Sequence, residues 1–141
     1  MIRSSYPSEV FSRYSHRKSS SVISLFDQFL PAYRWAESVL EVGTVDSESL
    51  RALQEYMPDS VVHSLSASRF LSERRLISLS YPFNPAEFVG RFAVIVVTDD
   101  SDPLPLKNTL KSYGLLVVEN PTSDLPEFRT DNSIAYYLRL K

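Results

Sequence analysis

The sequence has no cysteine. That excludes a disulfide framework, a thiolate zinc site and a cysteine nucleophile, and it suits a reducing compartment. Glycine is almost as scarce: Gly43, Gly90 and Gly114 are the only three among 141 residues. No G-x-G-x-x-G or P-loop pattern can be assembled from them, so a glycine-rich phosphate cradle is not expected. Histidine is limited to His16 and His63. Two isolated histidines do not make a zinc site, and no G-x-S-x-G elbow accompanies them to suggest a serine triad. Long apolar runs are absent too. The longest, Phe92 to Val97, falls far below the roughly 20 residues that span a bilayer. The stretch Met1-Ile2-Arg3-Ser4-Ser5-Tyr6-Pro7 lacks the apolar centre of a secretory signal. Position 2 is not glycine and the chain does not end in a C-a-a-X box, so lipidation is not expected. The reading is a protein neither secreted nor transmembrane, and at most peripheral on a membrane.

What is present supports a core. The composition is 43% hydrophobic, with eight Phe and eight Tyr. A chain of this length is one domain and buries roughly two-thirds of its unfolded surface. Charge is unevenly spread. Residues 1–18 carry Arg3, Arg13, Arg17 and Lys18 against Glu9 alone, leaving 11 basic and 16 acidic side chains for the rest. Residues 1–21 also hold eight serines and little apolar material. Such a segment cannot offset its ordering entropy by burial, so it reads as a flexible Ser/Arg-rich arm before a single domain over 22–141. Serines beside Arg13, Arg17 and Lys18 are candidate phosphorylation sites, where a phosphate would reverse the arm's charge.

Along the chain, Val22, Leu25, Phe26, Phe29 and Leu30 recur at helical spacing. Tyr33, Trp35, Ala36, Val39 and Leu40 continue that spacing after Pro31, and Gly43 suits a helix end. A third helix is expected to start at Asp46 or Ser47, to show Leu50, Leu53 and Met57 on one stripe, and to stop at Pro58. A fourth, short helix is drawn from Asp59 through Val62 and Leu65 toward Phe70, while Ser64, Ser66 and Ser68 alternate with Leu65, Ala67 and Arg69 as a strand would. The period then changes. Leu76 to Tyr81 alternates as a strand does. Phe92 to Val97 is a continuous β-prone run, the mark of a central strand covered on both faces. Leu106, Leu110 and Tyr113 suggest a helix ended by Gly114, followed by strands at 115–118 and 134–140. Helices first and strands later predict an α+β domain: N-terminal helices packed on a mainly antiparallel sheet.

Few constellations could carry chemistry. Asp99, Asp100 and Asp102 follow the central strand, where carboxylates can hold Mg²⁺. Aspartates before a proline-containing turn are also ordinary capping groups, and the turn role is the expectation. Arg69, Arg74 and Arg75 form a second basic cluster beside Phe70 and Leu71. With the arm it could contact phosphates. Tyr81, Phe83 and Phe88 flank Pro82 and Pro85 in a loop that could make a protein contact, because loops place function and aromatics dominate hot spots. No cofactor, metal or catalytic residue is expected.

The second half resembles the matrix proteins of rhabdoviruses, especially the vesicular-stomatitis type. The likeness covers residues 82–141. It begins at Pro82-Phe83-Asn84, runs through Gly90 into Phe92–Val97 and Asp99-Asp100, and resumes at Tyr113-Gly114-Leu115-Leu116-Val117-Val118-Glu119 before a last strand. The resemblance implies a non-enzymatic structural protein, cytoplasmic or virion-associated. It would self-associate as a homo-oligomer and contact a nucleocapsid and a membrane through an anionic lipid surface. It implies no small-molecule substrate. The alternative is a nucleic-acid-binding accessory protein, such as a viral suppressor of host defence, that uses the arm with Arg69, Arg74 and Arg75.

Overall fold

The apolar run Phe92–Val97 organises the molecule. All six of its side chains are buried, and neighbouring ones point to opposite faces of one sheet. The structure is a computed structural model that describes residues 29–33, 35–43, 48–65, 76–79, 83–121, 124–131 and 133–141. The expected arm at 1–21, residues 22–28 of the first expected helix and the cluster Arg69, Arg74 and Arg75 lie outside those residues.

Seven strands form one sheet. They are β1 (Ser38–Val42), β2 (Val61–Ser64), β3 (Leu76–Ser78), β4 (Phe92–Val97), β5 (Leu110–Glu119), β6 (Arg129–Asp131) and β7 (Ile134–Leu138). Their order across the sheet is β3-β2-β1-β4-β5-β7-β6. The pairs β1–β2, β2–β3, β1–β4 and β4–β5 are parallel, whereas β7 runs antiparallel to both β5 and β6. The expectation of N-terminal helices on a mainly antiparallel sheet is therefore overturned. Five parallel strands form the body of the sheet, and only its far edge is antiparallel.

Parallel neighbours cannot be joined by a tight hairpin and need crossovers. One α-helix is described, α1 (Glu48–Tyr56), and it carries the chain from β1 to β2. Its Leu53 and Tyr56, with Met57 just beyond, pack on one sheet face against Val39, Val62, Val94, Val96, Leu115 and Val117. Pro58 follows and ends it, as its sequence predicts. Later connections are 3₁₀ turns at Pro85–Phe88 and Leu104–Thr109. They cover the other face, where Phe88 and Leu106 pack with Leu40, Ile95, Val97 and Leu116. Each fully buried side chain of this size contributes about 1.5–3 kcal/mol, so both layers anchor the same sheet. The result is a doubly wound sheet built with short connections.

Two segments expected as helices are strands, and a third is a shorter 3₁₀ helix, Leu104–Thr109. Ser38–Val42 is β1, preceded by a 3₁₀ turn at Leu30–Tyr33. Trp35, placed on a buried helical face by spacing, is 53% exposed. Val61–Ser64, expected in a fourth helix, is β2. Leu110 opens β5 rather than closing a helix. Between Phe92 and Val94 the β4–β5 register shifts, because Phe92 faces Leu110 while Val94 faces Leu115. The excess residues bulge out of β5, and Tyr113 takes a φ of 64° there. The Tyr33 hydroxyl donates to the Tyr113 carbonyl at 2.9 Å and ties the bulge to the turn before β1. Gly114 follows because a Cβ would lie 3.0 Å from the Ala93 carbonyl oxygen of β4. Among the described residues no helix is long and apolar enough to cross a membrane.

Candidate functional site

In an open parallel sheet the chain reverses its direction of winding where neighbouring strands lead to opposite faces, and ligands bind beyond the carboxyl ends there. Here that point lies between β1 and β4. β1 ends in Glu41-Val42-Gly43 and β4 runs into Thr98-Asp99-Asp100. The Thr98 N–H donates to the Val42 carbonyl at 2.7 Å, closing the two strand ends together. Gly43 is where the backbone must pass close. A Cβ at this residue would stand 2.1 Å from Thr98 Oγ1 and 2.7 Å from Glu41 Oε2. Glu41 itself is fully buried, and its Oε1 accepts a hydrogen bond from the Ser64 hydroxyl at 2.8 Å. The carboxyl ends of β1 and β2 are thus joined by a buried carboxylate–hydroxyl pair.

Beside this point, over the ends of β4 and β5, lies a cleft of about 400 Å³. Asp99, Asp100, Asp102 and Asp124 line it with Leu104 and Leu125. Asp99 Oδ1 accepts from the Ser101 N–H at 2.9 Å, and Asp102 Oδ1 from the Leu104 N–H at 3.1 Å. Both therefore perform the turn chemistry expected of them. Among the described residues no group of three or more His, Asp or Glu could hold a metal ion. The cleft is acidic but not an assembled metal centre.

His63 lies on β2 with its ring edge-on to Phe92 at a centroid distance of 5.2 Å. Among the described residues its buried Nδ1 has no hydrogen-bond partner. Burial lowers its pKa from the usual 6.5, the Val39 and Val61 backbones oppose that, and the Arg91 charge adds to it. The folded protein thus binds this proton more weakly than the unfolded chain. The stability the neutral ring contributes is complete above about pH 6.5 and is lost as pH falls through the depressed folded value. Thermal melts are expected to show a midpoint falling between pH 7 and 5, with a smaller fall in His63→Phe. Equal slopes for both proteins would refute the assignment.

Of the loop residues singled out from sequence, Tyr81 lies outside the described residues. Phe83 and Phe88 are half-buried and stacked at 4.9 Å, and Phe88 stacks on Phe92 at 5.8 Å. Packing on the core is the role the structure gives them. The site residues that the spacing argument missed are Glu41, Gly43, Ser64, Thr98 and Asp124. A signal for two of them was present: Val39-Leu40-Glu41-Val42-Gly43 before a helix has the strand–glycine–helix form of a nucleotide fold. The competing helical spacing through Tyr33, Trp35 and Ala36 concealed it.

No protein-family model matches the sequence, and no curated protein matches it either. Solved structures do. MycE, a methyltransferase of the mycinamycin biosynthetic pathway in complex with Mg and SAH, superposes with a TM-score of 0.66 at 18% identity. The match covers 95% of this chain and 48% of MycE. The Podospora anserina methyltransferase PaMTH1, bound to SAH, matches with a TM-score of 0.58 at 15% identity over 99% of this chain and 89% of its own. An S-adenosyl-L-methionine methyltransferase from Silicibacter pomeroyi matches at 0.53 and 10% identity, over 75% of this chain and 83% of its own.

The fold resembles that of these methyltransferases.

This chain spans about half the length of MycE. The methyltransferase likeness overturns the resemblance to rhabdovirus matrix proteins. The expected α+β layout is replaced by the doubly wound sheet. The expectation of a non-enzymatic structural protein falls with it, because these neighbours are methyltransferases. The same holds for the expected absence of a small-molecule ligand: the neighbours hold SAH, and MycE also holds mycinamycin VI.

The residues at the switch point fit an adenosyl cofactor in part. Gly43 supplies the close turn after β1, and the aspartates beside it suit a cationic group. The second and third positions of a G-x-G-x-x-G turn, counted from Gly43, hold Val45 and Glu48. In dinucleotide-binding sheets a carboxylate about 20 residues further on accepts from the ribose hydroxyl. β2 ends here in Ser64, followed by Leu65. The ribose part of the cofactor has no counterpart among the described residues of β2.

Proposed function

We propose that this chain is the cofactor-binding domain of an S-adenosylmethionine-dependent methyltransferase, with its ligand over the carboxyl ends of β1 and β4. One observation carries the reading. The strand order β3-β2-β1-β4-β5-β7-β6, with β7 reversed, superposes on MycE over 95% of the chain. When bound, the cofactor supplies a methyl group on a sulfonium centre for transfer to a nucleophile. The chain's own residues do the holding. Gly43 keeps the turn after β1 free of a side chain. The Ser64–Glu41 pair fixes β1 to β2 below it. Asp99 and Asp100 set negative charge at the mouth, where a cationic ligand gains electrostatic attraction.

The test is calorimetric titration of the full chain with SAH, followed by displacement with S-adenosylmethionine. Saturable binding of both is expected. Asp100 is exposed and lines the cleft, so Asp100→Asn should weaken S-adenosylmethionine about fivefold, the loss of one exposed charge pair, without changing the melting midpoint. Absence of binding for both compounds at millimolar concentration would defeat the reading.

A further inference from the structure

The mismatch at β2 is specific enough to have a consequence, and it rests on the methyltransferase reading above. A sheet that reads ribose does so with a carboxylate at the carboxyl end of the strand after the glycine turn. Among the described residues, Glu41 and Ser64 at that place are bonded to each other. The Ser64 hydroxyl donates its proton to Glu41 Oε1 at 2.8 Å, and both side chains are fully buried. Glu41 is enclosed, and its Oε2 borders Gly43 at 2.7 Å from where a Cβ there would sit. The next residue, Leu65, donates its N–H to the Glu41 carbonyl at 3.0 Å, and its side chain packs on the core with Leu40 and Ile95. From Ser60 to Ser80 the sequence has a single carboxylate, Glu73, nine residues past the end of β2. Charge at this site is concentrated elsewhere, at Asp99, Asp100, Asp102 and Asp124.

We propose that this domain binds its adenosyl ligand without a carboxylate on the ribose hydroxyls. Recognition then rests on the turn at Gly43 and on the acidic cleft, which suits the ligand's ammonium group and, in S-adenosylmethionine, its sulfonium. The sugar contributes shape but no carboxylate hydrogen bond. A hydrogen bond to a charged group commonly separates a ligand from its deoxy analogue by about 10- to 100-fold. Here that separation is expected to be missing.

The experiment measures the affinity of the full chain for SAH and for its 2′-deoxy and 3′-deoxy analogues. Dissociation constants within about twofold of one another are expected. Two variants then place a carboxylate after β2: Leu65→Asp and Ser66→Asp. Using both allows for the packing of Leu65, whose replacement could unfold the chain. At least one folded variant should tighten SAH about tenfold and acquire discrimination against the deoxy analogues. If the wild-type chain binds SAH but loses tenfold or more on removal of a hydroxyl, the inference is overturned and the methyltransferase reading stands. If neither the wild type nor a folded variant binds SAH, that reading fails and takes the inference with it.

Discussion

Gly43→Ala is expected to destabilise the fold by about 2–3 kcal/mol, the usual cost of forcing an extra carbon into a packed interior. The position has no slack on two sides. The added carbon would sit 2.1 Å from Thr98 Oγ1 and 2.7 Å from Glu41 Oε2. The Glu41 end is a long side chain, but it is fully buried and tied to Ser64. Thr98 is held through its own N–H to the Val42 carbonyl at 2.7 Å. Moving either group therefore disturbs the β1–β4 junction at the centre of the sheet. Removing the hydroxyl should recover part of the loss, so Gly43→Ala in a Thr98→Ala background should cost about half as much. Urea denaturation of the four proteins measures both quantities. A Gly43→Ala cost below about 0.5 kcal/mol, the scale of an ordinary surface substitution, would show that the close approach does not constrain this residue.

Ser64→Ala should cost about 2 kcal/mol, because it removes a hydrogen-bond donor from a buried carboxylate. The pair Ser64–Glu41 joins β2 to β1 within a parallel register, Glu41 opposite Ser64. Breaking one half of a buried polar pair is more damaging than removing both halves. The double variant Glu41→Met/Ser64→Ala should accordingly be more stable than Ser64→Ala alone. Chemical denaturation and hydrogen exchange at β1 and β2 would report it. A double variant less stable than the sum of its singles would mean that Glu41 is held chiefly by contacts other than the Ser64 hydroxyl.

The legible parts of the sequence were those whose signals are local. Leu50, Leu53 and Met57 at helical spacing, with Pro58 after them, marked α1 within two residues of its observed start. The unbroken run Phe92–Val97 marked β4 at both ends. Strands at 115–118 and 134–140 lie on β5 and β7. β1 was misread for a physical reason. It is buried on both faces, with only its first residue partly exposed, so it shows no period-two alternation. Val39 and Leu40 then fitted the helical spacing begun by Tyr33 and Ala36. β2 was misread because Val61-Val62-His63-Ser64 is too short for any period to declare itself. With two of the parallel strands read as helices, the rest looked like strands following helices, which implies an antiparallel sheet. The 3₁₀ turns between β3 and β5 strengthened that error, since a parallel crossover normally announces itself by a longer helix.

The candidate site divides along the same line. Asp99, Asp100 and Asp102 were visible because they cluster in sequence, and their turn role followed from residue type. Asp124 joins them only because β5 returns the chain beside β4. Glu41 and Ser64 come from two different strands and Thr98 directly follows a third, and their contact depends on which strands are neighbours.

By itself, then, the sequence determined the exclusions and the local elements: no thiol chemistry, no glycine-rich cradle, one amphipathic helix and one deeply buried strand. Composition and short-range periodicity act within a few residues, so they suffice for that. The strand order, the parallel pairing and the meeting of Glu41, Gly43, Ser64 and Thr98 were decided only by the tertiary structure. Those features depend on contacts between residues 20 to 60 positions apart, and burying both faces of one sheet selects among pairings that no local pattern distinguishes.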